Sequence, residues 1–216
     1  MAVELYDEHE QGERVRQWIK EYAPAIVMGL VLAFGGIFGF RYWQDQQASQ
    51  AVLASEYYEV VRQAVEGGNL AAAEEQFDIM RDSIRRNAYV GLAGMHLAAA
   101  LVADGRLSPA KRIYSDILDD RRMDSLHPVA TLRLVRVLEA QGEHDEALAL
   151  LDRAAPAGFK GAWAEARGDV LFERGRVEEA RLAWQEALDN PPSEGANPRL
   201  IEMKIDATGP TAEDPS

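Results

Sequence analysis

Four segments of this chain align without gaps: Gly68-Asn-Leu-Ala-Ala-Ala73, Gly105-Arg-Leu-Ser-Pro-Ala110, Gly142-Glu-His-Asp-Glu-Ala147 and Gly175-Arg-Val-Glu-Glu-Ala180. Each places an alanine five residues after a glycine, and the glycines are 37, 37 and 33 residues apart. Four residues beyond each alanine stand Phe77, Tyr114, Leu151 and Trp184, and seven beyond stand Met80, Ile117, Ala154 and Ala187. Two crossing helices need this pattern. The small residue lets the backbones approach, and the large one fills the space beside it. The glycine ends the first helix of each pair at a C-cap, where a left-handed backbone costs it little.

One such pair cannot bury its apolar face alone, so the pattern dictates a stack of pairs, and the period is close to the ~34 residues of the tetratricopeptide unit. The first helices are expected at about 44–66, 88–104, 127–141 and 160–174. Pro192, twelve residues after Ala180, falls near the place where the last repeat closes. Leu200, Ile201, Met203 and Ile205 predict a short C-terminal cap over 193–207, because a terminal repeat needs a closing surface. Residues 208–216 are polar, contain two prolines and are expected to be disordered. Apolar residues make up 47% of the chain, Ala and Leu are abundant, and long β-branched runs are scarce, which predicts an all-α protein.

Upstream of the repeats, no charge occurs in the 19 residues from Tyr22 to Phe40, and Ala25 to Phe40 is wholly apolar. A helix needs about 20 such residues to cross a ~30 Å hydrocarbon layer. Pro24 is placed where a first helical turn tolerates proline. Tyr22 at one edge and Tyr42 with Trp43 at the other match the aromatic belts of a span. A core helix would show a polar face, and a cleavable signal would lack the acidic leader and the bulky exit residues. The sequence therefore predicts a leader at 1–21, a single transmembrane helix in the lipid bilayer at 22–43, and a tetratricopeptide-type helical-hairpin solenoid of four hairpins at 44–192.

Arg14, Arg16 and Lys20 precede the span, whereas Arg41 alone follows it closely. The positive-inside rule then places the N-terminus in the cytoplasm and the repeats outside. No Gly or Pro occurs from Arg41 to Glu66, so the span is expected to run straight into the first repeat helix. On a helical wheel Gly29, Ala33, Gly35, Gly36 and Gly39 share one side, a packing face for another membrane helix. Met28, Leu32 and Phe40 fall in the same arc, which leaves lipid exposure as the alternative.

The formal charge of -13 argues against nucleic acid as a partner. With no cysteine there is no disulfide, thiolate metal site or cysteine nucleophile. His9, His96, His127 and His144 lack metal-ligand spacing and read as surface or capping residues. No nucleophile elbow, phosphate loop or zinc-protease motif occurs, so neither an enzyme nor a cofactor is expected. Stacked helix pairs do offer a concave surface lined by their first helices. The register assigns a partner-binding groove to Tyr58, Arg62, Leu92, Met95, Arg136, Glu139, Glu165 and Asp169. Apolar positions there would supply affinity and charged ones register, unless they simply pack between repeats.

Particular stretches carry a resemblance over nearly the full length: YDEHEQGERVRQWIKEY before the apolar run, RYWQ after it, LRLVRVLEAQGEHDEALALLD, WAEARGDVLFERGRVEEARLAWQEAL and the closing EMKI. In these the chain resembles the YfgM family, ancillary subunits of the bacterial SecYEG translocon. The resemblance implies an inner-membrane protein with a periplasmic repeat domain, placed beside the SecYEG translocon subunits and the periplasmic chaperone PpiD. It implies a role in helping exported unfolded proteins as they emerge, without catalytic residues. The alternative is a self-associating envelope scaffold, a homo-oligomer paired through the Gly/Ala side of the span, with no translocon role.

Overall fold

The computed structural model describes residues 4–84, 87–191 and 197–209, and within the first helix it leaves aside the side chains at 4–15, 17, 19, 23, 24, 26 and 47. Among the described residues all regular structure is helical: α1 (Glu4–Glu66), α2 (Leu70–Ser83), α3 (Ala88–Ala103), α4 (Leu107–Asp119), α5 (His127–Gln141), α6 (His144–Leu151), α7 (Lys160–Glu173), α8 (Val177–Asp189) and α9 (Pro198–Ala207), with a 3-10 turn at Arg121–Met123. The chain divides between Val52 and Leu53 into two compact units.

The first unit is the N-terminal part of α1. Its side chains from Val27 to Trp43 are exposed, Leu32, Phe38 and Tyr42 most of all. A methyl group built on Gly29, Gly35, Gly36 or Gly39 would meet no neighbour. Among the described residues, no helix is long and apolar enough to cross a membrane. The apolar run continues unbroken into the first repeat helix, as the lack of Gly and Pro from Arg41 to Glu66 predicts, and α1 also takes in the leader from Glu4. One expectation needs correction. Pro24 is accordingly interior to α1; a proline removes one amide donor, and here it does not end the helix. The side chains of His9, Arg14 and Pro24 lie outside the described residues.

The second unit follows the Gly–Ala register. Gly68, Gly105, Gly142 and Gly175 all take the left-handed backbone, with φ of 71°, 78°, 75° and 73°. Ala73, Ala110, Ala147 and Ala180 are completely buried, and Phe77, Tyr114, Leu151 and Trp184 are buried behind them. Asn69 caps α2 by accepting the Ala72 amide at 3.1 Å, and Asn87 caps α3 by accepting that of Tyr89 at 3.0 Å. Successive helices from α2 to α9 pack on one another in chain order. The last turns of α1 contribute Ala54 and Val61 to the same core. Ala154 departs from the register: α6 stops at Leu151 and leaves it exposed. Pro156 has no amide hydrogen to return to the Asp152 carbonyl and disfavours helical backbone at Ala155, so the helix cannot continue through this segment.

At the last pair the register changes size. Seven residues before the glycine the first three units carry Val61, Ala98 and Val135, and the fourth carries Gly168. A Cβ on Gly168 would lie 2.4 Å from Cδ1 of Trp184, so the bulkiest second-helix residue is admitted by the smallest first-helix one.

Ion pairs join consecutive units at fixed register positions. Glu74, just after the first alanine, receives both terminal nitrogens of Arg106, just after the next glycine, at 2.7 and 3.1 Å. One junction later the same two positions hold Lys111 and Glu143, 2.6 Å apart, with the charges reversed. At the third junction the position after the alanine is Leu148, half-buried against both apolar clusters. In the last unit it is Arg181, which donates to the Gly209 carbonyl at 2.8 Å and so fastens the end of the chain.

α9 packs on α8 as the first helix of a further unit would. Ile201 is buried beneath it and Ile205 half-buried, but Leu200 and Met203, expected to close the stack, are exposed. Thr208 and Gly209 follow the helix end, where Thr208 Oγ1 donates to the Ile205 carbonyl and Arg181 to that of Gly209, so these two residues of the expected disordered tail are held in place. Pro192 and residues 210–216 lie outside the described residues.

Two measurements check this architecture. Gly168→Ala should lower the unfolding free energy in urea by about 1–3 kcal/mol, because the rigid Trp184 ring has no room to retreat; a neutral change would mean the ring repacks freely. A double-mutant cycle on Glu74 and Arg106, reversing each charge singly and then both together, should return a favourable coupling of about 0.5–1 kcal/mol. Strict additivity would remove the pair from the account.

Candidate partner-binding face

Counted back from each left-handed glycine, residues at thirteen, ten, six and three places sit on one side of the first helices. In the four units these are Ser55, Tyr58, Arg62 and Val65; Leu92, Met95, Ala99 and Val102; Val129, Leu132, Arg136 and Glu139; and Ala162, Glu165, Asp169 and Phe172. The eight groove residues expected from the sequence all belong to this set.

The structure gives them different fates. Leu92 is 42% exposed and available to a partner. Met95 is 7% exposed and belongs to the core, a correction to its groove assignment. Its long unbranched side chain can reach inward from the edge of the face, and its carbonyl accepts Arg133 at 3.3 Å. Tyr58 is half-buried with its ring 5.9 Å from that of Tyr89. Arg62 is held within its own helix by Glu59, at 2.9 Å, and by Glu66, at 2.5 Å. That hydrogen bonding holds the Glu59 carboxyl down at about 2.

In the last two units the face is charged and already engaged. Lys204 of α9 donates to Glu165 at 2.9 Å and to both oxygens of Asp169 at 2.7 and 2.8 Å. Asp169 also accepts the Trp184 indole N–H at 2.9 Å, and the Lys204 ammonium lies 6.0 Å from the Trp184 ring centre. Lys204 is thus the charged residue of this candidate face that register reasoning missed. It stands in the cap, outside the repeats, although the closing EMKI contained it.

Glu139 breaks the pattern of its position. The other three units put Val65, Val102 and Phe172 there. Burial pushes the Glu139 carboxyl up to about 7; Asp169 and Glu173 push the same way, against Arg136 and Lys204. The folded chain therefore holds this proton more tightly than an ordinary carboxyl with a value of 4.5 would. Between those two values the folded state binds more protons, so stability falls as pH rises through the window, and the loss is complete above it.

The histidines do not assemble. His127 and His144 begin α5 and α6 without capping them; His127 Nε2 instead lies 3.1 Å from the Asp120 carbonyl. His96 is half-buried within α3, contrary to the surface reading. Among the described residues no group of carboxylates and histidines could hold a metal. A cavity of about 490 Å³ lies away from the first-helix face, between α2 and α4, with Phe77, Ile84 and Ile117 in its wall. Its rim is bridged by Arg81 with Asp116, 3.4 Å apart, and Arg122 with Asp120, 3.5 Å apart.

Comparison with known proteins agrees with this arrangement of helices. The tetratricopeptide repeat-like domain family matches residues 16–210. An ancillary SecYEG translocon subunit of Escherichia coli K12 is 30% identical over 206 residues, covering 94% of this chain and 98% of that protein. This chain is a member of the YfgM family. A second ancillary SecYEG translocon subunit, from Haemophilus influenzae, is 29% identical and covers 87% of this chain and 91% of its own length. One from Neisseria gonorrhoeae is 26% identical, with 96% and 99% covered. The family match takes in both the apolar part of α1 and the helix pairs.

Replacing Glu139 by glutamine tests the proton linkage. Between pH 5 and pH 8 the wild-type chain should lose about 1–2 kcal/mol more unfolding free energy than the variant. Parallel curves would mean that the carboxyl is solvated.

Proposed function

We propose that this member of the YfgM family is a single-pass inner-membrane adaptor associated with the SecYEG translocon. Residues 22–43 cross the bilayer, the N-terminus is cytoplasmic, and the helix pairs stand in the periplasm. There they bind newly exported, still unfolded chains beside a membrane-anchored periplasmic chaperone, PpiD in the family resemblance. The role is one of binding and placement, with no catalytic step.

One observation carries this reading: an uncharged run on all sides of an exposed helix, joined in one chain to stacked helix pairs. Val27, Met28, Leu30, Val31, Phe34, Ile37 and Phe38 are more than half exposed. Water does not tolerate a continuous apolar surface of this size. A protein partner would cover one side of the helix, whereas lipid covers every side, so lipid is the cover that fits. The basic residues before the run support the orientation, and the names of the relatives support the translocon as the partner.

Photo-crosslinkers placed at Leu92 and Arg136 in living cells should capture translocon subunits, the chaperone or nascent exported chains. A periplasm-dependent reporter enzyme fused after residue 209 should be active, and one that works only in cytosol should be silent. The reverse pattern, or crosslinks to none of these partners, would remove the reading.

A further inference from the structure

The first-helix face changes character half-way along. From the first unit to the start of the third it presents Tyr58, Val65, Leu92, Val102, Val129 and Leu132, half-buried except for the more open Leu92. Arg62 is the single charge at these positions, and its own helix neutralises it through Glu59 and Glu66. Beyond Leu132 the face becomes charged: Glu139, Asp169 and Glu173 stand near Arg136 and Lys204, and Lys204 also holds Glu165. Lys204 donates to Glu165 and Asp169, so among the described residues the four carboxylates of this end of the face stand against two cations. Phe172, 44% exposed, is chain neighbour to Glu173 and register partner to Glu139. An aromatic surface beside a carboxylate accommodates the aliphatic stem of a lysine or arginine while the carboxylate takes its head.

We infer that this face binds extended protein segments in which an apolar stretch adjoins a basic residue: the stretch lies along the first three units and the basic side chain reaches Glu139 and Glu173. The inference rests on the reading above that the face receives protein segments, and it names which segments. Charge complementarity selects the occupant. An acidic flank would meet the excess carboxylates and be repelled, and a wholly polar segment would leave Leu92 and its neighbours uncovered. Glu139 gives the contact a signature: a carboxyl that is protonated on the acid side of neutrality offers no charge to the ligand, and a bound cation draws its proton off.

The test uses the full-length protein and labelled peptides of one apolar sequence flanked by two lysines or by two glutamates, with a lysine-flanked Gly/Ser peptide as control, read by fluorescence anisotropy. The lysine-flanked apolar peptide should bind about tenfold more tightly than the glutamate-flanked one and weaken as pH falls from 8 to 6. Leu92→Glu should weaken it, Glu173→Gln should bring the two apolar peptides together in affinity, and Glu139→Gln should flatten the pH dependence. Circular dichroism establishes that each variant is folded. Equal affinity for the two flanks, or binding indifferent to Leu92→Glu, overturns the inference. If no peptide binds while cellular crosslinks to the translocon persist, the inference fails and the adaptor reading stands; if peptides bind as described without those crosslinks, the adaptor reading fails alone.

Discussion

Close approach of two helices at a buried alanine is the contact on which the rest of the second unit depends. Ala73, Ala110, Ala147 and Ala180 have no exposed surface, so the spacing within each pair is set by a methyl group. That spacing decides which large side chain fits behind it and forces Gly168 where the filler is Trp184. It also sets the phase of each first helix, and with it the residues that share the candidate face. The core of such a stack runs from unit to unit, and each unit is stabilised by its neighbours. The fully buried side chains are accordingly spread along the chain, from Val61 through Leu97 and Leu138 to Val170.

Charged contacts between units contribute a different property. A half-exposed pair such as Glu74 with Arg106 is worth about 1 kcal/mol or less. Its value lies in the reversal at the next junction, where Lys111 meets Glu143. A unit shifted along the stack by one place would set Glu74 against Glu143, so the order of units is enforced by repulsion. At the third junction that position holds Leu148, an apolar link between the main core and the cluster around Trp184, and the ion pairs move to Arg174 with Asp145 and Arg167 with Asp152.

The sequence made the helix pairs legible because their determinants are local: a glycine, an alanine five residues on, a large residue one turn later. The ion pairs between units stayed hidden, since Arg106 and Glu74 are 32 residues apart and neither is unusual on its own. Met95 was misread for a related reason: its position faces the groove edge, and only packing decides whether so flexible a side chain turns in or out. Glu165 and Asp169 are engaged by Lys204, which comes from a helix outside the repeats and so escaped the register. The extent of α1 was legible at its C-terminal end, where Gly67 and Gly68 follow Glu66, and not at its start, where Pro24 suggested a boundary that the helix passes through.

Glu139 shows where stability alone is a poor guide to this chain. Two units hold valine at its position and one holds phenylalanine, whereas a carboxyl raised by burial works against folding as pH rises through neutrality. Desolvating a carboxylate beside Asp169 and Glu173 works against folding, and α9 offsets only part of that cost with a lysine spent mainly elsewhere. Local rules broken without structural compensation concentrate at surfaces that do something. The break falls where the face turns from apolar to acidic, and at that place a bound basic group would supply the charge that the fold leaves out.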